Sequence, residues 1–156
     1  IMCAQEGAKC TIVGYDGIKN VSNKAEEYKA RFDVDIIPGD GSTDELNSSY
    51  LPDAEIIFCA ARAGTQVISM DQLKTTNKAM VLADVNAVPP SGLEGVGLKD
   101  DDTEHACGAL SIGPLTSGDI KVKTQYKMFE IMCSSDKPQY LNFDEALITA
   151  REILGL

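Results

Sequence analysis

Two stretches decide the fold: AEIIFCAA, residues 54–61, and AMVLADVNA, residues 79–87. Both are short runs that are apolar on each face, the pattern of strands buried in a parallel sheet rather than of strands with one wet side. Three similar runs accompany them: KCTIVGYD (9–16), VDIIP (34–38) and ACGALSIG (106–113). Helical patterns fall between and after. NKAEEYKARF (23–32) sets Ala25, Tyr28 and Phe32 on one stripe, and SMDQL (69–73) opens a short helix with Ser69 as cap. A long helical stretch follows Ser117. The last helix, FDEALITAREIL, has Asn142 as N-cap, Glu145 three residues on, Leu147, Ala150, Ile153 and Leu154 on one face, and Gly155 as its stop. The alternation predicts an α/β protein, a Rossmann-like doubly wound parallel sheet with helices on both faces.

The 156 residues suffice for one domain. A formal net charge of −10 argues against a nucleic-acid backbone or an anionic membrane as main partner. No apolar run is long enough to span a bilayer, so no membrane role is expected. The five cysteines are odd in number and form no CxxC pair, and there is one histidine. That composition points to a reducing compartment, the cytoplasm, and to no metal site. His105, beside Glu104 in the acidic segment KDDDTE (99–104), reads as a surface loop histidine, and the segment itself as a solvated loop. Met128, Phe129 and Met132 read as the core stripe of their helix.

The start, IMCAQEG, is apolar and helical and closes at Gly7 before running into the first strand. A domain entered through its own helix is expected to have lost what precedes it. In a dinucleotide-binding fold that is the first strand and the glycine-rich phosphate turn, and no G-x-G-x-x-G occurs here. Residues 1–156 are therefore expected to be an NAD(P)-binding Rossmann-type domain without its first strand and turn.

Three places could carry chemistry. In VGYDG, residues 13–17, an acidic residue after an early strand of such a fold accepts the adenosine ribose hydroxyls, which would give Gly14, Tyr15 and Asp16 cofactor contacts. The alternative is an aspartate opening a turn before Gly17. If Asp16 meets the ribose, a 2′-phosphate about 4 Å away costs roughly 4 kcal/mol at an effective dielectric near 20, which leans toward NAD; Lys19 and Lys24 offset that lean. In FCAARAGTQ, residues 58–66, the small residues Ala60, Ala61 and Gly64 let a ligand lie against backbone at a strand's C-terminal end. Arg62 is either a phosphate or substrate contact or a solvated loop arginine. Asp84 and Asn86, two positions apart, place a carboxylate and an amide on one side at the mouth of the fourth strand. They face either a ligand or the turn ahead of Pro89 and Pro90, which stiffen the exit.

The blocks ADVNAVPPSGLEGVGLKD (83–100) and GALSIGPLTSGDIKVKTQ (108–125) resemble the bacterial methylene-tetrahydromethanopterin dehydrogenases. The order of pieces matches along essentially the whole chain: EGAKCTIVGYD, a helix containing Lys-Ala, IIFCAARAG, the Asp-x-Asn-x-x-Pro-Pro block, and a Lys-x-Lys helix. The resemblance implies an enzyme that moves a hydride from the methylene carbon of a reduced pterin one-carbon carrier to NAD or NADP, without metal or flavin. It implies a separate N-terminal substrate domain, a homo-oligomer, and substrate contacts from Lys121 and Pro89. Asp84 and Asn86 become positioning candidates near the nicotinamide, and no general base is assigned. Tyr15 and Asp16 stand where NADP-using members carry basic residues, so the cofactor is NAD or NADP. Methylene-tetrahydrofolate as substrate, or a nucleotide-sensing domain without chemistry, remain alternatives.

Overall fold

A computed structural model describes residues 1–156, which divide into two compact units. Unit 1 is Ile1–Ala54 with Thr75–Asn77; unit 2 is Glu55–Lys74 with Lys78–Leu156.

Unit 1 holds α1 (Met2–Gln5), β1 (Cys10–Gly14), α2 (Ile18–Phe32), β2 (Ile36–Asp40) and α3 (Asp44–Ser48). β1 and β2 pair in parallel, from Cys10 opposite Ile36 to Gly14 opposite Asp40. α2 packs on both strands through Val21 and Ala25, which with Val34 and Leu51 form the small core. The helix starts at Ile18, five residues ahead of the expected stretch, because Gly17 at φ +90° turns the chain directly into it. β2 runs two residues later than VDIIP. Pro38 is tolerated inside it because one flank of this edge strand needs no ladder donor.

Unit 2 holds β3 (Ile56–Cys59), α4 (Met70–Leu73), β4 (Val81–Asp84), β5 (Thr103–Glu104), β6 (Leu110–Ile112), α5 (Pro114–Cys133) and α6 (Phe143–Leu154). The sheet order is β3-β4-β6-β5, with the first three strands parallel and β5 antiparallel to β6. Ile57, Cys59, Leu82, Asp84 and Ser111 line the buried face. Residues on the opposite face stay open, with Ile56 64% and Phe58 63% exposed. The chain is α/β with parallel sheets flanked by helices, as expected. The sheets are small, and the double winding is not displayed in full.

The two expected caps form. Ser69 and Gln72 bond reciprocally at α4, Asn142 and Glu145 do so at α6, and Gly155 closes α6 in the left-handed region. α5 starts at Pro114, where a proline at the first turn loses no helical hydrogen bond. It packs along α6, but Phe129 is 64% exposed and Met132 is also exposed, so these two do not make the expected core stripe. The segment 99–104 is not wholly a solvated loop. Asp100 accepts the Gly97 N–H at 2.8 Å and the Ser111 hydroxyl at 2.6 Å, and Thr103–Glu104 form β5. No helix is long and apolar enough to cross a membrane.

Candidate cofactor and substrate site

In unit 1, Gly14 ends β1 under the first turn of α2. A Cβ there would sit 2.7 Å from the Val21 side chain, so the close approach of helix to strand requires glycine. Tyr15 is 79% exposed. Asp16 is exposed too; its backbone oxygen accepts from the Asn20 side chain at 3.0 Å, and its carboxylate pairs with no side chain. Lys24 lies on α2, 2.8 Å from Glu27, and the Glu27 carboxylate raises its pKa. Arg31 grips the same glutamate at 2.9 Å. Lys24 is thereby held along its own helix, while Lys19 has no ion pair.

Asp40, at the end of β2, was absent from the expected site. Its carboxylate accepts the Ser42 N–H at 2.9 Å. The Ser42 hydroxyl first, then the Ser42 N–H, and more weakly the Ile18 N–H at the start of α2, hold its pKa below the usual carboxylate range. The signal was present as GDGS (39–42), a polar run directly after a strand.

In unit 2, the loops after β3 and β4 are stitched together by the predicted pair. Asp84 is 1% exposed and Asn86 4%. One Asp84 oxygen accepts the Asn86 N–H at 2.8 Å and the other accepts the Leu93 N–H at 3.0 Å. The Asn86 side-chain oxygen accepts from Gly64 N–H at 3.2 Å and Val88 N–H at 3.0 Å, and its amide donates to the Pro90 carbonyl at 2.9 Å. Backbone bonds reinforce the seam: Val67 N–H to Gly92 O at 2.8 Å and Glu94 N–H to Ile68 O at 3.0 Å. Gly92 packs so closely that a Cβ would collide with Cys59 Sγ and press on both Asp84 oxygens. Burial pushes the Cys59 thiol pKa up; the neighbouring Asp84 carboxylate adds to this, and the Ala61 N–H opposes it.

These bonds hold Ala60, Ala61, Arg62, Gly64 and Pro89 at the C-terminal ends of β3 and β4, where parallel α/β sheets receive ligands. Arg62 is exposed and has no ion pair; Ala60, Pro89 and Pro90 are exposed beside it in the same two loops. Lys121 lies on α5, exposed and unpaired, whereas Lys123 is bound to Asp119 at 2.6 Å. His105 is not a surface residue. It is 5% exposed, with Nε2 2.9 Å from the Glu94 carbonyl.

In each unit the loops lie at the C-terminal ends of parallel strands in a small α/β sheet, compatible with a Rossmann-like fold. No protein-family model matches the chain. An NAD(P)-dependent methylenetetrahydromethanopterin dehydrogenase from Methylorubrum extorquens is 36% identical over 156 residues, which cover 99% of this chain and 52% of that protein. The bifunctional protein MdtA of the same bacterium is 25% identical over 118 residues, 76% of this chain and 40% of that protein. The chain thus spans about half the length of the first relative and less of the second.

Proposed function

We propose that the chain is the nucleotide-binding portion of a larger NAD(P)-dependent methylene-tetrahydromethanopterin dehydrogenase acting in one-carbon metabolism. The observation that carries this reading is the 36% identity extending over 99% of the chain. In this reading the first strand, its glycine-rich turn and a separate substrate domain belong to the rest of a longer polypeptide. The strand orders support it. Unit 1 by itself carries the parallel pair β1-β2 and unit 2 by itself the parallel run β3-β4-β6, each a local pattern of a dinucleotide fold.

The residues present fit such a cofactor. In unit 1, Gly14 gives close access to the strand end, the unpaired Asp16 carboxylate offers two acceptors for ribose hydroxyls, and Tyr15 lies beside it. Lys24 is a weaker candidate because Glu27 holds it. In unit 2, Ala60, Ala61 and Gly64 leave backbone open to a ligand, and Arg62 supplies a free guanidinium suited to phosphate. When bound, the nicotinamide supplies the hydride acceptor. The chain's own work is placement: Asp84 and Asn86 fix the backbone of both loops, Pro89 stiffens their rim, and Lys121 offers its ammonium group to substrate. No residue here is required to move a proton, so alignment of the reactants carries the rate.

We also place the protein in the cytoplasm, a reading supported by five unpaired cysteines, and treat it as a homo-oligomer, which light scattering would check. The deciding experiment is an assay of the full-length polypeptide with methylene-tetrahydromethanopterin and each nicotinamide, following cofactor reduction by absorbance. Reduction with that carrier is expected. Reduction with methylene-tetrahydrofolate alone, or cofactor binding without reduction, would sink the proposal in favour of a folate enzyme or a nucleotide sensor.

A further inference from the structure

The turn at residues 105–108 holds a thiol against an imidazole. His105 Nδ1 lies 3.1 Å from Cys107 Sγ and accepts the Cys107 backbone N–H at 3.2 Å. On the far side of the ring, Nε2 lies 2.9 Å from the Glu94 carbonyl oxygen. A backbone N–H can only donate and a carbonyl can only accept, so the ring proton sits on Nε2 and Nδ1 is the acceptor. The thiol therefore faces the basic nitrogen of a neutral imidazole whose orientation a carbonyl fixes. Nucleophile, base and orienting group stand in sequence.

The seat of this ring is built by residues distant in the chain. Gly95, at φ +90°, lies so close that a Cβ would come 2.6 Å from Nε2. Glu94 is anchored in turn, its carboxylate accepting the Met70 N–H at 2.6 Å. No other cysteine has such a partner, because His105 is the only histidine. Cys3 and Cys133 are exposed, whereas Cys59 is buried with its thiol pushed up. Cys107 is partly accessible.

We propose that Cys107 is the reactive thiol of this chain, activated by His105, and that it exchanges with cationic small-molecule disulfides. The thiol proton passes to Nδ1, and the thiolate attacks one sulfur of the disulfide. A bond forms between Cys107 Sγ and that sulfur as the original S–S bond breaks. The departing thiolate takes the proton from Nδ1. Cys107 is oxidised to the mixed disulfide and the other half of the reagent is reduced to a thiol. Selection for a cation follows from Glu104, exposed at the end of β5 where the 105–108 turn begins, and from the net charge of −10.

The test treats the full-length protein with cystamine and, separately, with oxidised glutathione, and reads each cysteine by peptide mass spectrometry over time. Cys107 is expected to react at least about 10-fold faster than Cys3 and Cys133, below the full factor a positioned base can supply. Cystamine should outpace oxidised glutathione at Cys107. In His105→Gln the Cys107 rate should drop to that of the two exposed cysteines, whose own rates stay unchanged. Equal rates at Cys107, Cys3 and Cys133 in the native protein overturn the proposal without recourse to the variant, as does a Cys107 rate indifferent to His105→Gln. Equal rates for the two disulfides overturn the selection for a cation.

Discussion

The side-chain oxygen of Asn86 accepts the backbone N–H of Gly64 at 3.2 Å, joining loops that lie 22 residues apart in the chain. The same amide group also holds Val88 and Pro90. Any effect of Asn86 on a ligand therefore passes through the shape of two loops.

Asn86→Ala should both loosen the protein and slow it. The change leaves two N–H groups and one carbonyl without their partner, each costing about 1–3 kcal/mol where water cannot replace it. We expect a loss of about 2 kcal/mol or more in urea denaturation. In the full-length polypeptide, assayed for the proposed activity, kcat/KM should fall by about 10-fold or more, equivalent to about 1.4 kcal/mol. Unchanged kinetics would remove Asn86 from the positioning of the site.

Asp84→Asn isolates the neighbouring contribution. Asparagine matches the shape, but its NH2 group must face a backbone N–H, either that of Asn86 or that of Leu93. One buried bond is replaced by two opposed donors, at a cost of about 1–3 kcal/mol. Chemical denaturation measures this directly, and a variant as stable as the parent would show that the two amides do not depend on the carboxylate.

The strands were legible because apolar runs closed by glycine or acidic residues need no partner to be recognised, and the caps at Ser69 and Asn142 were legible because a capping box lies within four residues. The seat of His105 was not. Its burial depends on Gly95, ten residues away, bending at positive φ and on the Glu94 carbonyl reaching Nε2, and neither leaves a mark near His105. The use of Asp84 and Asn86 was half legible. Their spacing placed both at the strand mouth, but their partners at Gly64, Pro90 and Leu93 are set by how two loops meet. The exposure of Phe129 was hidden for a related reason, since apolar spacing on a helix does not say whether a neighbour covers it.

The cap of α6 offers a control outside the site. Asn142 accepts the Asp144 N–H at 2.8 Å while Glu145 returns a bond to the Asn142 N–H at 2.8 Å. Asn142→Ala should cost about 1 kcal/mol of stability. Because the cap touches none of the loops at the strand ends, its thermal shift should come without a change in KM for either nicotinamide.

Cys59 gives a pH signature. Its folded pKa is raised, first by burial, so the neutral thiol is favoured in the native state. A group with a raised folded pKa contributes stability that is complete below its unfolded pKa, about 8.5 for a thiol, and lost as pH rises through the folded value. Stability should therefore decline through the alkaline range, and part of that slope should vanish in Cys59→Ala. Iodoacetamide should label Cys59 more slowly than exposed Cys3 and Cys133.

Asp16 sets the expected balance between the two nicotinamides. Its carboxylate is exposed and unpaired; of the two lysines that could soften it, Lys24 is held by Glu27 at 2.8 Å, whereas Lys19 has no ion pair. If the ribose lies on Asp16, a 2′-phosphate there meets repulsion of up to roughly 4 kcal/mol at an effective dielectric near 20, and solvent reduces it at so open a position. Asp16→Ser should therefore raise the ratio of kcat/KM for NADP over NAD by about 10-fold, or about 1.4 kcal/mol, mainly through KM. Added salt should shrink the difference between the parent and the variant, because screening acts on the charge and not on the hydrogen bonds. A ratio that stays the same in Asp16→Ser would place the ribose elsewhere, while loss of both activities together would mark Asp16 as a support for the turn into α2 rather than a ligand of the cofactor.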